Sequence, residues 1–111
     1  MGANVMSDFV AVATTSELPD PGKMLVEVGE RLVVLMHAAG HYYALDDICT
    51  HDGGPLSDGP LDAPAATIAC PRHGAKFDIR TGAALTMPAT KPTAAHEVKV
   101  EGDQIFVRLS Q

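Results

Sequence analysis

Tryptophan is absent from these 111 residues, and two tyrosines and three phenylalanines are the only other large aromatics. Any core must therefore be mainly aliphatic, and with 46% apolar residues the chain has enough material for one. No apolar stretch approaches the roughly 20 residues that span a bilayer. The opening MGANVMSDF has neither a basic n-region nor an apolar h-region, and Met6 stands where N-myristoylation wants Ser or Thr. The expectation is a cytoplasmic chain with no membrane partner. Positive charge is also scarce: eight Lys and Arg face fourteen Asp and Glu, a net charge of -6. Nucleic acid is excluded on that balance, because polyanion binding needs a dense basic footprint, whereas an electropositive protein partner fits. Two cysteines allow one disulfide at most, so their surroundings say more than their number.

What the chain does have is alternation interrupted by turn residues. Strands are expected at Phe9–Ala13 and Met24–Val28, separated by Pro19, Pro21 and Gly22. Arg31–His37 and His41–Asp46 flank Ala38-Ala39-Gly40 and predict a hairpin; His96–Glu101 and Gln104–Leu109, joined by Gly102-Asp103, predict another. Between residues 47 and 92 glycine and proline recur every few positions, leaving room only for short strands at Ala66–Ala69 and Lys76–Ile79. A single domain over 1–111 is expected, a β framework from both chain ends carrying a loop-rich part at about 47–92.

Both cysteines lie in that loop-rich part, each closely followed by a histidine: Cys49-Thr50-His51, and later Cys70-Pro71-Arg72-His73. Such short separations let a tight loop aim both donors inward, and two facing loops would clamp a metal centre. Gly53-Gly54-Pro55, Pro71 and Gly74 permit sharp turns and close approach of backbone N–H groups to sulfur. On ligand types alone, two thiolates and two imidazoles suit structural zinc as well as an iron–sulfur cluster.

The pattern as a whole resembles the Rieske ferredoxin family, whose Cys-x-His and Cys-x-x-His loops correspond to CTHDGGPL and CPRHGAKFD. Phe77-Asp78, Thr81-Gly82, a proline-loop residue at Pro88 and the closing hairpin extend the resemblance over most of the chain. It implies an all-β Rieske fold, an antiparallel strand framework with a loop-rich cluster-binding subdomain. It implies a [2Fe-2S] cluster bound by Cys49, His51, Cys70 and His73, with the cysteines on the inner iron and the histidines on the outer one. The function implied is one-electron transfer, without catalysis, from a flavin-dependent reductase to a terminal acceptor, most naturally a non-haem iron ring-hydroxylating oxygenase, by a monomeric carrier. Two other readings share the fold or the cluster: the small subunit of a nitrite-reductase-like enzyme, which typically lacks the ligands present here, and a redox-sensing or cluster-assembly accessory protein.

High-potential respiratory members carry an extra cysteine in each loop, where this sequence has Gly54 and Arg72. They also carry Ser and Tyr hydroxyls that donate to cluster sulfurs, where Ala75 and Phe77 stand here. A potential at the low end of the Rieske range, around -150 mV, follows. Phe77 is expected to pack beneath the cluster, and Lys76 and Arg72 to be solvated. His37, His41 and His96 are expected to be ordinary surface or strand-end histidines. Asp46, Asp47, Asp52, Asp58 and Asp62 gather near the ligand loops, where they would either steer a basic partner or simply face water.

Overall fold

Each alternating run becomes a strand in the computed structural model, which describes residues 9–50 and 53–110. Strands β1 (Val10–Thr14), β2 (Gly22–Val28), β3 (Arg31–Ala38) and β4 (His41–Asp46) precede the loop-rich part. Within it lie β5 (Leu61–Asp62), β6 (Thr67–Ala69) and β7 (Lys76–Asp78), and β8 (Ala95–Glu101) and β9 (Gln104–Arg108) close the chain. The architecture is all-β. Six strands form one antiparallel sheet in the order β1-β9-β8-β4-β3-β2, and the three short ones form a second sheet, β5-β6-β7.

The two hairpins fall where the glycines predicted them. Gly102 (φ 62°) is left-handed in the β8–β9 turn, and Gly40 (φ 83°) with Ala39 (φ 52°) in the β3–β4 turn. Strand β5 has no counterpart in the sequence reading. Two residues are too few to show a period, and Pro60 and Pro64 on either side mark it as loop.

Strand β3 is the hub, because it is buried on both faces. Val33 and Leu35 face a core completed by Val26, Val28, Ala44, Ile105 and Val107 inside the framework. Val34 and Met36 face a second core, shared with Leu56, Ile68, Phe77 and Ile79 of the loop-rich lobe. The unbroken apolar run VVLM, Val33–Met36, is the sequence trace of this double burial, since a strand wetted on one face would alternate. Phe77 has no exposure, and truncating such a side chain to alanine costs about 3–5 kcal/mol.

The lobe leaves the framework and returns to it at one place. Asp46 at the end of β4 donates its N–H to the carbonyl of Ala94, just before β8, at 2.8 Å, and Ala44 and Leu45 pair with His96 and Ala95. Gly59 allows the lobe's first loop to press against β6: a Cβ there would run into the carbonyl oxygen of Ala69, the residue before Cys70. Among the described residues no helix is long and apolar enough to cross a membrane.

Candidate metal centre

Cys49 and Cys70 sit in the same core, 0% and 1% exposed, on loops of matching construction. In the first, the Cys49 N–H donates to the Gly54 carbonyl at 2.7 Å and the Gly53 N–H donates back to the Cys49 carbonyl at 2.7 Å. In the second, the Cys70 N–H donates to the Ala75 carbonyl at 2.8 Å and the Gly74 N–H donates to the Cys70 carbonyl at 3.0 Å. Gly53 and Gly74, four residues after their cysteines, have φ of 76° and 75°, a conformation that costs an L side chain strain. The shared Cys-x-x-x-Gly spacing was open to view in the sequence as a signal of paired loops.

The second loop carries His73 on the surface, while Cys70 beside it is buried. His51 lies outside the described residues, as does Asp52. Gly54 and Ala75, where the loops turn back, are buried, and Arg72 and Lys76 are exposed.

A third segment fastens the two loops together. The Thr50 hydroxyl donates to the Lys91 carbonyl at 2.6 Å, and the Lys76 N–H donates to the Thr86 hydroxyl at 2.9 Å. Pro88 lies between these ties, with Ala89 in the core that holds both cysteines and Met87 74% exposed. No motif in the sequence marked Thr50 or Thr86, whose partners lie 41 and 10 residues away.

Of the histidines expected to be ordinary, His41 is exposed and His37 stacks on Tyr42 with ring centroids 3.9 Å apart. His96 is a strand-end histidine, second in β8, but it is not at the surface. Its side chain is wholly buried, with Nε2 2.8 Å from Asp46 Oδ1, and its Nδ1 accepts the Ser110 N–H at 3.1 Å. Since a backbone N–H can only donate, Nδ1 is the acceptor and Nε2 carries the proton given to Asp46.

The acidic residues are also more occupied than the sequence suggested. Asp46 takes Arg31 as well, at 2.9 and 2.7 Å; Asp47 binds Ser57; Asp62 accepts the Ala65 N–H at 3.2 Å. Their first role is local. Arg31, Leu32, Asp46, Asp47, Ile48 and Gly53 are among the residues lining an open cleft of about 410 Å³ beside the first loop. Farther along, Asp78 accepts from Arg80 through both carboxylate oxygens, and that hydrogen bonding holds its pKa below the ordinary 3.8.

Sulfur donors deep in the lobe with an imidazole at its rim fit a cluster that takes thiolates on one iron and imidazoles on the other. A β framework bearing such a two-loop lobe defines a small iron–sulfur protein. Residues 8–107 match the Rieske [2Fe-2S] domain. The 3-phenylpropionate/cinnamic acid dioxygenase ferredoxin subunit of Photorhabdus laumondii is 40% identical over 100 residues, covering 90% of this chain and 93% of that one. The ferredoxin of carbazole 1,9a-dioxygenase from Nocardioides aromaticivorans IC177 superimposes with a TM-score of 0.88 at 31% identity, covering 92% and 98% of the two chains. A chain from the complex of reduced oxygenase and oxidized ferredoxin in carbazole 1,9a-dioxygenase gives a TM-score of 0.83 at 31% identity, covering 90% and 92%.

The chain belongs to the Rieske [2Fe-2S] family. It is a ferredoxin, a carrier of electrons on a [2Fe-2S] cluster and not itself an enzyme.

Proposed function

We propose that Cys49, His51, Cys70 and His73 hold the cluster, and that the chain carries electrons in the cytoplasm, as a monomer, from a flavin-dependent reductase to a ring-hydroxylating non-haem iron oxygenase. The carrying observation is the pair of matching loops, each burying one cysteine of a Cys/His motif beneath a glycine-closed turn. The dioxygenase-associated names of the relatives, one of them a ferredoxin solved with its oxygenase, support the oxygenase as acceptor. A flavoprotein donor suits a carrier of one electron at a time.

When bound, the cluster takes up and returns a single electron. The chain's residues do the rest. Leu56, Ile68 and Phe77 share the core of Cys49 and Cys70 and keep water from the sulfur side. His73 stands at the surface, where a partner's redox centre can approach. The whole chain, 1–111, acts as one Rieske domain with its cluster-binding subdomain at about 47–92. Support for that division is the second sheet, which falls within it, and the core it shares with β3.

Metal analysis with absorption spectroscopy tests the ligand assignment. Purified protein should be red-brown, with about two irons and two sulfides per chain. Cys49→Ser, His51→Ala, Cys70→Ser and His73→Ala should each abolish stable incorporation, while His37→Ala and His41→Ala keep it. Colourless protein with stoichiometric zinc would sink the reading. For the partners, turnover by a ring-hydroxylating oxygenase with its flavin reductase should stop when this chain is omitted.

A further inference from the structure

The first ligand loop has a second fastening that the cysteine–glycine hydrogen bonds do not provide. Asp47, two residues before Cys49, donates its backbone N–H to the Leu32 carbonyl of β3 at 3.0 Å, which fixes where the chain enters the loop. Its carboxylate reaches across the neck. Oδ1 accepts the Ser57 N–H at 2.6 Å and Oδ2 accepts the Ser57 hydroxyl at 3.0 Å. The Ser57 carbonyl in turn accepts Lys23 Nζ, from β2, at 2.6 Å. Loop entry, loop exit and an edge strand of the framework thus meet at one serine.

This three-residue clasp is distinct from the apolar anchoring of the same turn. Leu56, next to Ser57, has no exposure and holds the 3-10 turn Leu56–Asp58 to the core by packing. A packed side chain resists withdrawal but tolerates small sliding. Two charge-assisted hydrogen bonds to one carboxylate fix both distance and direction.

We propose that Asp47, with Ser57 and Lys23, is a positioning device for the first ligand loop: it fixes the neck so that Cys49 and the following ligand meet the cluster in one geometry, and it slows cluster release. The inference rests on the ligand assignment above. Asp47 and Ser57 act through the loop backbone, so they are positioning residues and not ligands.

The test uses the cluster-loaded full chain and its Asp47→Ala, Asp47→Asn, Ser57→Ala and Lys23→Met variants. Three readouts are taken: the rate at which a chelator bleaches the visible absorption, the EPR spectrum of the reduced cluster, and the thermal melt. Asp47→Ala should lose its cluster about tenfold faster or more, with broadened EPR features, if about two hydrogen bonds to a charged group are lost. Ser57→Ala and Lys23→Met should fall between it and wild type. Asp47→Asn, which keeps one acceptor for the Ser57 N–H, should recover part of the loss. Wild-type bleaching and EPR in Asp47→Ala overturn the proposal, as they do in Ser57→Ala should Asp47→Ala fail to fold. A lowered melt with unchanged EPR and release also overturns it, because the clasp would then serve stability alone. Failure of the ligand assignment looks different: the wild-type chain itself would carry no iron–sulfur cluster.

Discussion

His96 gives its Nε2 proton to Asp46 at 2.8 Å across 50 residues of sequence, from a side chain with no solvent exposure. The bond joins β8 to the last residue of β4, three residues before Cys49, and the Ser110 N–H completes the ring's hydrogen bonding. Replacing His96 by alanine removes a hydrogen bond to a charged acceptor and opens a small void. The expected loss is about 2–4 kcal/mol. Urea denaturation should show a lower midpoint with an unchanged slope, while iron content per folded chain stays at the wild-type level. An unchanged midpoint would mean that the buried ring contributes nothing net.

Ala75 and Phe77 stand where high-potential relatives carry hydroxyl donors, and both are fully buried. Ala75→Ser adds a donor at low steric cost and should raise the midpoint potential by about 40 mV, if about 1 kcal/mol of the bond favours the reduced state. Adding Phe77→Tyr should bring the rise to about 80 mV. Protein-film voltammetry on fully loaded variants reads this directly. A potential that stays or falls means that these positions do not face the sulfurs.

Asp78 supplies an acid-sensitive element. Its pKa is depressed chiefly by the Arg80 side-chain hydrogen bonds, so its folded-state value lies below the unfolded one. The stabilisation is fully present above the unfolded pKa near 3.8 and disappears as pH falls through the folded value. Arg80 is 58% exposed, so solvent screening keeps the contribution small. Urea midpoints measured from pH 5 downward should fall less steeply in Asp78→Asn than in wild type. Parallel curves would show that Asp78 has no linkage to folding.

Gly59→Ala should disturb the site without touching a ligand motif. The added methyl overlaps the Ala69 carbonyl, so β6 or the turn after Leu56 must move, and Cys70 follows Ala69 directly. Destabilisation of about 1–3 kcal/mol is expected, together with reduced cluster content after reconstitution. Wild-type stability and iron content in this variant would show that the two backbones separate freely.

Residue patterns reveal the framework more readily than the lobe. Strands at Met24, Arg31, His41, His96 and Gln104 announce themselves because period-two alternation and glycine turns are local properties. The ligand motifs are equally local, and the Cys-x-x-x-Gly repeat of the two loops can be read directly. His51 is legible as a motif residue but lies outside the described structure. The burial of His96 is not legible, because its partners Asp46 and Ser110 are 50 and 14 residues away and alternation says nothing about which strands meet. Asp47 and Ser57 are hidden for a related reason. Two ordinary polar loop residues acquire a role only when the turn at Leu56 folds one onto the other.

The hydrogen bond from Asp46 to Ala94 has a consequence for how such a chain can change over time. It makes the lobe a closed excursion whose two ends are adjacent, so a turn of the lobe that contributes no buried residue to the core shared with β3 can change without shifting the strands that carry it. Residues added at the Ala63–Ala66 turn, which takes no part in the β4–β8 pairing, leave that register alone. Their entropic cost grows only logarithmically, about 0.6 kcal/mol for each doubling of a flexible loop. The spacer between the two ligand motifs can therefore lengthen at that turn at modest cost, while Leu56 and Ile68 on either side of it keep the lobe on β3.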